Sequence, residues 1–173
     1  MIHQINDQII IWDKNDPLLS RSIKVSDDGQ YKILFTEKGT DDRNLISISR
    51  FDDEEFISII DEFIASYIFI DSEDNYLWFL TDHMAPNGKV VRLDFDNISL
   101  GFEEVISETT SSIRSVDFIN QSFVINYLDN TFSNIKYFSK DGNEIGSLKL
   151  DSLGSISEPK ESNLREPILS LIH

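Results

Sequence analysis

The side chains that most often carry chemistry are few in this chain and badly spaced for it. Its three histidines are His3, His83 and His173. No H-x-x-x-H spacing brings two imidazoles onto one helical face, so zinc ligation has no support; His83 reads as a surface loop residue. There is no cysteine, which removes a disulfide framework, Cys-ligated zinc and a cysteine nucleophile. Serines are common, but no G-x-S-x-G elbow presents one for acyl transfer. Gly146-Ser147 and Gly154-Ser155 read as strand-edge or turn dipeptides. Neither a phosphate loop nor a dinucleotide fingerprint is present. Carboxylates cluster at Asp27-Asp28, Asp41-Asp42 and Asp52-Asp53-Glu54-Glu55. Such oxygens can hold calcium or magnesium, but only at a defined loop spacing; the ordinary use of Asp here is to bond the backbone of a turn. The residues therefore support no catalytic, cofactor-binding or metal-binding assignment.

Those side chains sit on a repeating set of short strands. Leu45, Val90 and Ile135 occupy one place in three strand-like runs, Asn44–Phe51, Lys89–Phe95 and Asn134–Phe138. Tyr31 and Tyr76 lead the preceding runs at the same interval, with Phe123 slightly shifted. A period of roughly 45 residues with strand chemistry indicates propeller blades of four strands each. The fold class is all-β, a partial β-propeller of about three four-stranded antiparallel blades.

The reading places blades at about 20–60, 63–107 and 111–150 within a unit spanning 1–157, with an extra strand at 8–12. That strand, Gln8–Trp12, reads as the outer strand of a preceding blade. The first blade comprises Arg21–Val25, Tyr31–Thr36, Asn44–Ser49 and Phe56–Ile60; the second Ile64–Ile70, Tyr76–Thr81, Lys89–Phe95 and Glu103–Ile106; the third Ile113–Ile119, Phe123–Leu128, Asn134–Phe138 and Glu144–Leu150. Within Asp53–Phe63 the residues Phe56, Ile59, Ile60 and Phe63 also match a helical face, but the repeat register asks for a strand. In Lys89–Phe95, Val91 and Leu93 fall on one face and Val90 and Arg92 on the other. Aromatic residues on these runs, among them Phe69, Tyr76, Trp78, Phe79, Phe95, Phe123, Tyr127, Phe132 and Phe138, suit packing between stacked sheets. Residues 158–173 break the pattern and read as a divergent C-terminal tail.

Charge narrows the partners. Fifteen basic residues against 31 acidic ones give a net charge of −16. Nucleic acid needs a basic surface to neutralise phosphates, and anionic lipid is disfavoured for the same reason. The N-terminus has no basic n-region, and the apolar run Ile9–Trp12 is too short for a signal peptide or a membrane span. The expected location is cytoplasmic, which fits the lack of cysteine.

Several segments, taken in order, resemble one family. They are Asp16-Pro17, Ser26-Asp27-Asp28-Gly29-Gln30-Tyr31, Gly39-Thr40-Asp41-Asp42-Arg43-Asn44, and Ile60-Asp61-Glu62-Phe63 with Tyr67. Thr81-Asp82-His83-Met84-Ala85-Pro86 then leads into Val90-Val91-Arg92-Leu93-Asp94, and Tyr127-Leu128-Asp129, Asp141-Gly142 and Gly154-Ser155 complete the series. The set resembles the middle of the β-propeller domain of prolyl oligopeptidase, a serine peptidase family that cleaves short peptides after proline. The resemblance covers about residues 8 to 157. It implies part of a seven-bladed propeller that sits over an α/β-hydrolase domain and excludes large folded proteins from its active site. The family's catalytic residues lie in that hydrolase domain, so none is carried onto this chain. The resemblance thus implies a substrate-gating fragment, from a truncated or split frame, that is inactive alone. The alternative is a stand-alone protein-interaction module. Open blade faces further lead us to expect a homo-oligomer, or pairing with the remaining parts of a split peptidase, with peptide contact as a further expectation.

Overall fold

Alternating apolar and polar residues, punctuated by turns rich in Asp, Asn and Gly, give antiparallel ribbons because each strand presents alternate side chains to opposite faces. A computed structural model describes residues 2–5, 8–12, 16, 18–129 and 132–149. The tail 158–173, which includes His173, and Gly154-Ser155 lie outside the described residues. The described strands form three antiparallel sheets. The first orders β1 (Ile2–Ile5), β2 (Gln8–Trp12), β3 (Leu19–Val25), β4 (Tyr31–Lys38), β5 (Asn44–Arg50) and β6 (Ile57–Ile60) in sequence. The second comprises β7 (Tyr67–Glu73), β8 (Tyr76–Thr81), β9 (Lys89–Asp94) and β10 (Phe102–Ile106). The third comprises β11 (Ser112–Ile119), β12 (Ser122–Asp129), β13 (Phe132–Ser139) and β14 (Glu144–Lys149). β3–β6, β7–β10 and β11–β14 are each a propeller blade of four strands, the first extended by β1 and β2. The turn at Asn120-Gln121 shows the local chemistry: both residues adopt positive φ, 50° and 61°, which matches the twist of a two-residue hairpin.

Three expectations need correction. First, Gln8–Trp12 does not belong to a preceding blade. It pairs antiparallel with β3, Ile9 opposite Ile23 and Trp12 opposite Ser20, and so covers the inner edge of the first sheet; an open edge of unpaired backbone groups is the natural place for it to dock. Ile2–Ile5 pairs in turn with Gln8–Trp12, Ile2 opposite Ile11. Second, Leu45 and Val90 share a strand position but not a face. Val90 is buried against the third sheet, whereas Leu45 points away from the second, and Ile46 is the structural counterpart of Val90. The period of two converts a one-residue difference in loop length into a change of face. Third, Phe95 is not in a strand but opens a 3-10 helix, Phe95–Leu100, whose N-cap Asp94 accepts from the Asp96 N–H. The ambiguous stretch near Phe56 is a strand, Ile57–Ile60.

Packing of sheet on sheet makes the core. Tyr31, Ile33, Phe35, Ile46 and Ile48 of the first sheet meet Tyr67, Phe69, Leu77, Phe79, Val91 and Leu93 of the second. The opposite face of the second sheet, with Trp78, Val90 and Ile106, meets Phe123, Ile125, Tyr127 and Phe138 of the third. Full burial of a large apolar side chain stabilises by roughly 1.5–3 kcal/mol, so these two layers dominate the fold. Aromatic contacts reinforce them: Trp78 lies 4.6 Å from the Phe118 ring and edge-on to Phe123 at 5.7 Å. Not every strand aromatic is buried. Tyr76 is 37% exposed under the Arg92 guanidinium, and Phe132 is also exposed.

Polar contacts stitch the sheets at both ends. At the end holding the β3–β4 and β7–β8 turns, Arg50 bonds Asp96 at 2.9 Å and the Tyr31 hydroxyl donates to the Asp74 carbonyl at 3.0 Å. There too, Lys140 reaches Glu73 at 3.1 Å, joining the third sheet to the second. At the other end the buried Asn44 acts as a surrogate backbone. Its Nδ2 donates to the Tyr67 carbonyl at 2.8 Å, and its Oδ1 accepts from the Tyr67 N–H at 3.0 Å. The turn of β13–β14 approaches the second sheet so closely that a Cβ at Gly142 would collide with the Val105 carbonyl, and φ there is +82°.

Two predictions follow from this stitching. Gly142→Ala pays the left-handed backbone cost of about 1–2 kcal/mol and the collision besides, whereas Gly29→Ala, at φ +69° with nothing near its Cβ, pays only the first. Thermal melts of both variants are expected to rank Gly142→Ala clearly below Gly29→Ala. Asn44→Leu leaves the Tyr67 N–H and carbonyl unpaired, at roughly 1–3 kcal/mol per buried group. Denaturant unfolding is expected to show this loss, and amide exchange to be faster at Tyr67.

Candidate functional site

The loops at the Asn44 end carry the most irregular chemistry of the molecule. The longest, Asp82–Gly88, is held rigid by its own bonds. Ala85 N–H donates to the Asp82 carbonyl at 2.9 Å and Gly88 N–H to the Ala85 carbonyl at 2.7 Å. Asp82 Oδ1 accepts from the Ser66 N–H at 2.8 Å, tying the loop to the start of β7. Ala85 is buried as the anchor, while Met84, at φ +51°, is 87% exposed at the tip. His83 is not an isolated surface ring: it stacks on Tyr67 with 6.5 Å between centroids. Asn87 then does for the third sheet what Asn44 does for the second. Its N–H donates to Glu108, its Nδ2 to the Thr109 carbonyl, and its Oδ1 accepts from the Ser112 hydroxyl at 2.8 Å.

Between these loops and the inner strands lies an open cleft of about 370 Å³. It is lined by Ser66, Ile68, Leu80 and Pro86 of the second sheet and its loops, by Ser112 and Ile113 of the third, and by Asp42 and Asp82. Ile68 is 55% exposed there. The lining thus combines apolar side chains with two carboxylates. β7 and β11, which flank the cleft, are terminal strands of their sheets, each paired on one side only.

The carboxylate groups singled out from the sequence do not converge. Asp28 accepts from the Ser26 hydroxyl and the Gln30 N–H, closing the β3–β4 turn. Asp41 grips Arg43 through its guanidinium and N–H, and that hydrogen-bonded partner holds its carboxyl at about 2. Asp52, Asp53, Glu54 and Glu55 are exposed, with the Asp53 carbonyl taking Lys32. Among the described residues, no three His, Cys, Asp or Glu side chains form a group able to hold a metal ion. Ser147 lies on β14 beside Gly146. One carboxyl was not foreseen: Asp71, half-buried on β7, is pushed up mainly by burial, with Asp27 and Asp28 of the first sheet adding to the rise and Lys24 opposing it. Burial likewise pushes the Tyr127 phenol up to about 12. The bonding roles of Asn44, Asn87 and Gly142 left no local trace in the sequence, because each is defined by a partner on another sheet.

Known proteins resemble this chain in sequence and fold. The sequence model of the prolyl oligopeptidase N-terminal beta-propeller domain matches residues 3–170, which includes most of the segment after Ser157. The chain is 29% identical over 161 residues to prolyl oligopeptidase A of Galerina marginata, covering 88% of this chain and 21% of that protein. It is 24% identical over 155 residues to the prolyl endopeptidase of Elizabethkingia meningoseptica, covering 89% of this chain and 22% of that protein. The apo structure of prolyl oligopeptidase B from Galerina marginata superposes with a TM-score of 0.78 at 25% identity, over 86% of this chain and 22% of that one. The chain therefore spans about a fifth of the length of the relatives it matches.

The Asp71 environment yields a pH prediction. Its folded pKa is raised, so the native state holds this proton more tightly than the unfolded chain does. Its effect is then unfavourable above the raised value and vanishes below the ordinary carboxylate range. Asp71→Asn keeps an oxygen for the Ser72 N–H, which lies at 2.8 Å from Asp71 Oδ1. Thermal melts are expected to show the variant more stable than the parent at neutral pH. The difference should shrink as pH falls towards the ordinary carboxylate range.

Proposed function

This chain belongs to the prolyl oligopeptidase N-terminal β-propeller family, and we propose that it serves as the substrate-gating section of a proline-directed serine peptidase, without catalytic activity of its own. The observation that carries this reading is the match along residues 3–170 to the propeller model alone, in a chain that corresponds to 21% of a peptidase relative. Propeller blades hold no nucleophile elbow; their part in such a peptidase is to present a rigid wall of stacked sheets around the approach to the site. The described residues suit that part: two buried layers fix three blades relative to one another, and rigid loops border one end. A cytoplasmic location belongs to the same reading. It rests on the acidic, cysteine-free composition and on no helix among the described residues being long and apolar enough to cross a membrane.

A second reading, a stand-alone interaction module, draws on the two outward faces of the array. Val25 on the first sheet and Ile119 and Leu148 on the third are exposed apolar side chains, of the kind that a further sheet or a second copy covers. Under this reading the chain self-associates or binds the remaining parts of a split peptidase.

Purified chain is expected to leave a fluorogenic proline-containing peptide uncleaved. Turnover that co-purifies with the chain, and persists after removal of contaminating peptidases, would overturn the gating reading. A monodisperse monomer in light scattering at micromolar concentration would count against self-association.

A further inference from the structure

Asn87-Gly88 is the one Asn-Gly pair in the sequence. Glycine after asparagine is the pairing most prone to cyclise, because no side chain hinders the glycine nitrogen as it approaches the neighbouring carboxamide. Such pairs favour exposed tight turns. Here both residues are half-buried. Asn87 is tied at every polar atom to the segment that enters β11. Its N–H donates to Glu108 at 2.6 Å and its Nδ2 to the Thr109 carbonyl at 3.0 Å. Its Oδ1 accepts from the Ser112 hydroxyl at 2.8 Å, and its carbonyl accepts from the Ile113 N–H at 2.8 Å. The Gly88 N–H donates to the Ala85 carbonyl at 2.7 Å. Gly88 stands at φ +87°, and a Cβ there would lie 3.2 Å from Leu80 Cδ1 and 3.4 Å from Ile113 Cβ. The dipeptide is thus a close-packed joint between the second sheet and the third.

Cyclisation requires these groups to be released. The Gly88 nitrogen must lose the proton that the Ala85 carbonyl holds. The Asn87 carboxamide must turn its carbon towards that nitrogen and let its NH2 leave, while Thr109 and Ser112 grip both of its ends. Docking of the third sheet on the second therefore opposes the reaction, and undocking permits it.

We propose that Asn87-Gly88 is a deamidation site guarded by this docking, and that its reaction makes a transient undocking permanent. Hydroxide removes the Gly88 amide proton, and the nitrogen attacks Asn87 Cγ. A new C–N bond forms there as the Cγ–Nδ2 bond breaks, and Nδ2 leaves as ammonia after taking a proton from water. Water then opens the cyclic imide at either carbonyl, giving aspartate or isoaspartate. Either product spoils the joint. Aspartate sets an oxygen where Nδ2 donated, against the Thr109 carbonyl, so a bond becomes a repulsion. Isoaspartate also lengthens the backbone by a carbon where it packs against Leu80 and Ile113. The inference concerns the covalent chemistry of this chain and is independent of the gating reading.

The test incubates the full 173-residue chain in mildly alkaline buffer below its melting temperature. Conversion at Asn87 is followed by peptide mapping with mass spectrometry and enzymatic isoaspartate labelling. A synthetic peptide of residues 82–94 in the same buffer sets the rate with no fold around it. Asn87 is expected to convert about tenfold or more slower in the chain than in the peptide. Ser112→Ala frees one end of the carboxamide and keeps the other bonds of Asn87, so it should quicken conversion severalfold. Asn87→Asp, made directly, should melt below the parent and exchange the Ile113 amide hydrogen faster, because the partner of that N–H is the Asn87 carbonyl. Equal rates in chain and peptide would overturn the proposal. So would a Ser112→Ala rate no faster than the parent's, or an Asn87→Asp chain whose melt and Ile113 exchange match the parent's.

Discussion

Everything in this molecule depends on the second sheet being apolar on both faces. A sheet with one buried face can alternate apolar and polar residues and leave the polar set in water. The middle sheet has no such freedom. Leu77, Phe79, Val91 and Leu93 are committed to the first sheet, and Trp78 and Val90, which sit between them in sequence, are committed to the third. Consecutive residues therefore serve different neighbours, and a slip of one residue in β8 or β9 would exchange the two sets. The register of β8 with β9, Leu77 opposite Leu93 and Leu80 opposite Val90, consequently governs the relative placement of all three sheets.

Apolar stacking of this kind is strong but non-directional, and by itself it would let the sheets slide. The polar contacts restrict that motion. Asn44 reads the backbone of Tyr67 from both sides, and Asn87 repeats the device between the second and third sheets with different partners. At the other end, Asp96 joins Arg50 of the first sheet to Asn75 of the second. Exposed ion pairs of this sort contribute little energy; their worth here is in fixing which residues face one another.

The strands and most of their turns were legible in the sequence, and the physical reason is that alternation and turn chemistry are local. Tyr76–Thr81 coincides with β8 residue for residue, and Ile57–Ile60 is a strand despite its partial helical pattern. What escaped was whatever depends on a partner elsewhere. Leu45 carries the same local signal as Val90, yet one lies on an outward face and the other in a core. Gln8–Trp12 is plainly strand-like, but nothing in its own residues says which edge it joins. The cleft was invisible for the same reason: Asp42, Asp82 and Ile113 come from three different blades. Turn bonding accounts for Asp28 and Asp41, but Asp42 makes no such bond among the described residues.

Faces and edges impose different demands, and the difference bears on function. A bare apolar face can be satisfied by any surface of suitable shape, so it favours association without much discrimination. A bare strand edge needs an extended backbone in register, with alternate side chains on prescribed sides. β2 meets that demand for β3 using the chain's own residues. On β7 the outward N–H and carbonyl of Tyr67 are taken by the Asn44 side chain, and on β11 the Ile113 N–H is taken by the Asn87 carbonyl. Residues of the preceding sheet thus satisfy part of these two edges, where β2 satisfies that of β3 with a whole strand.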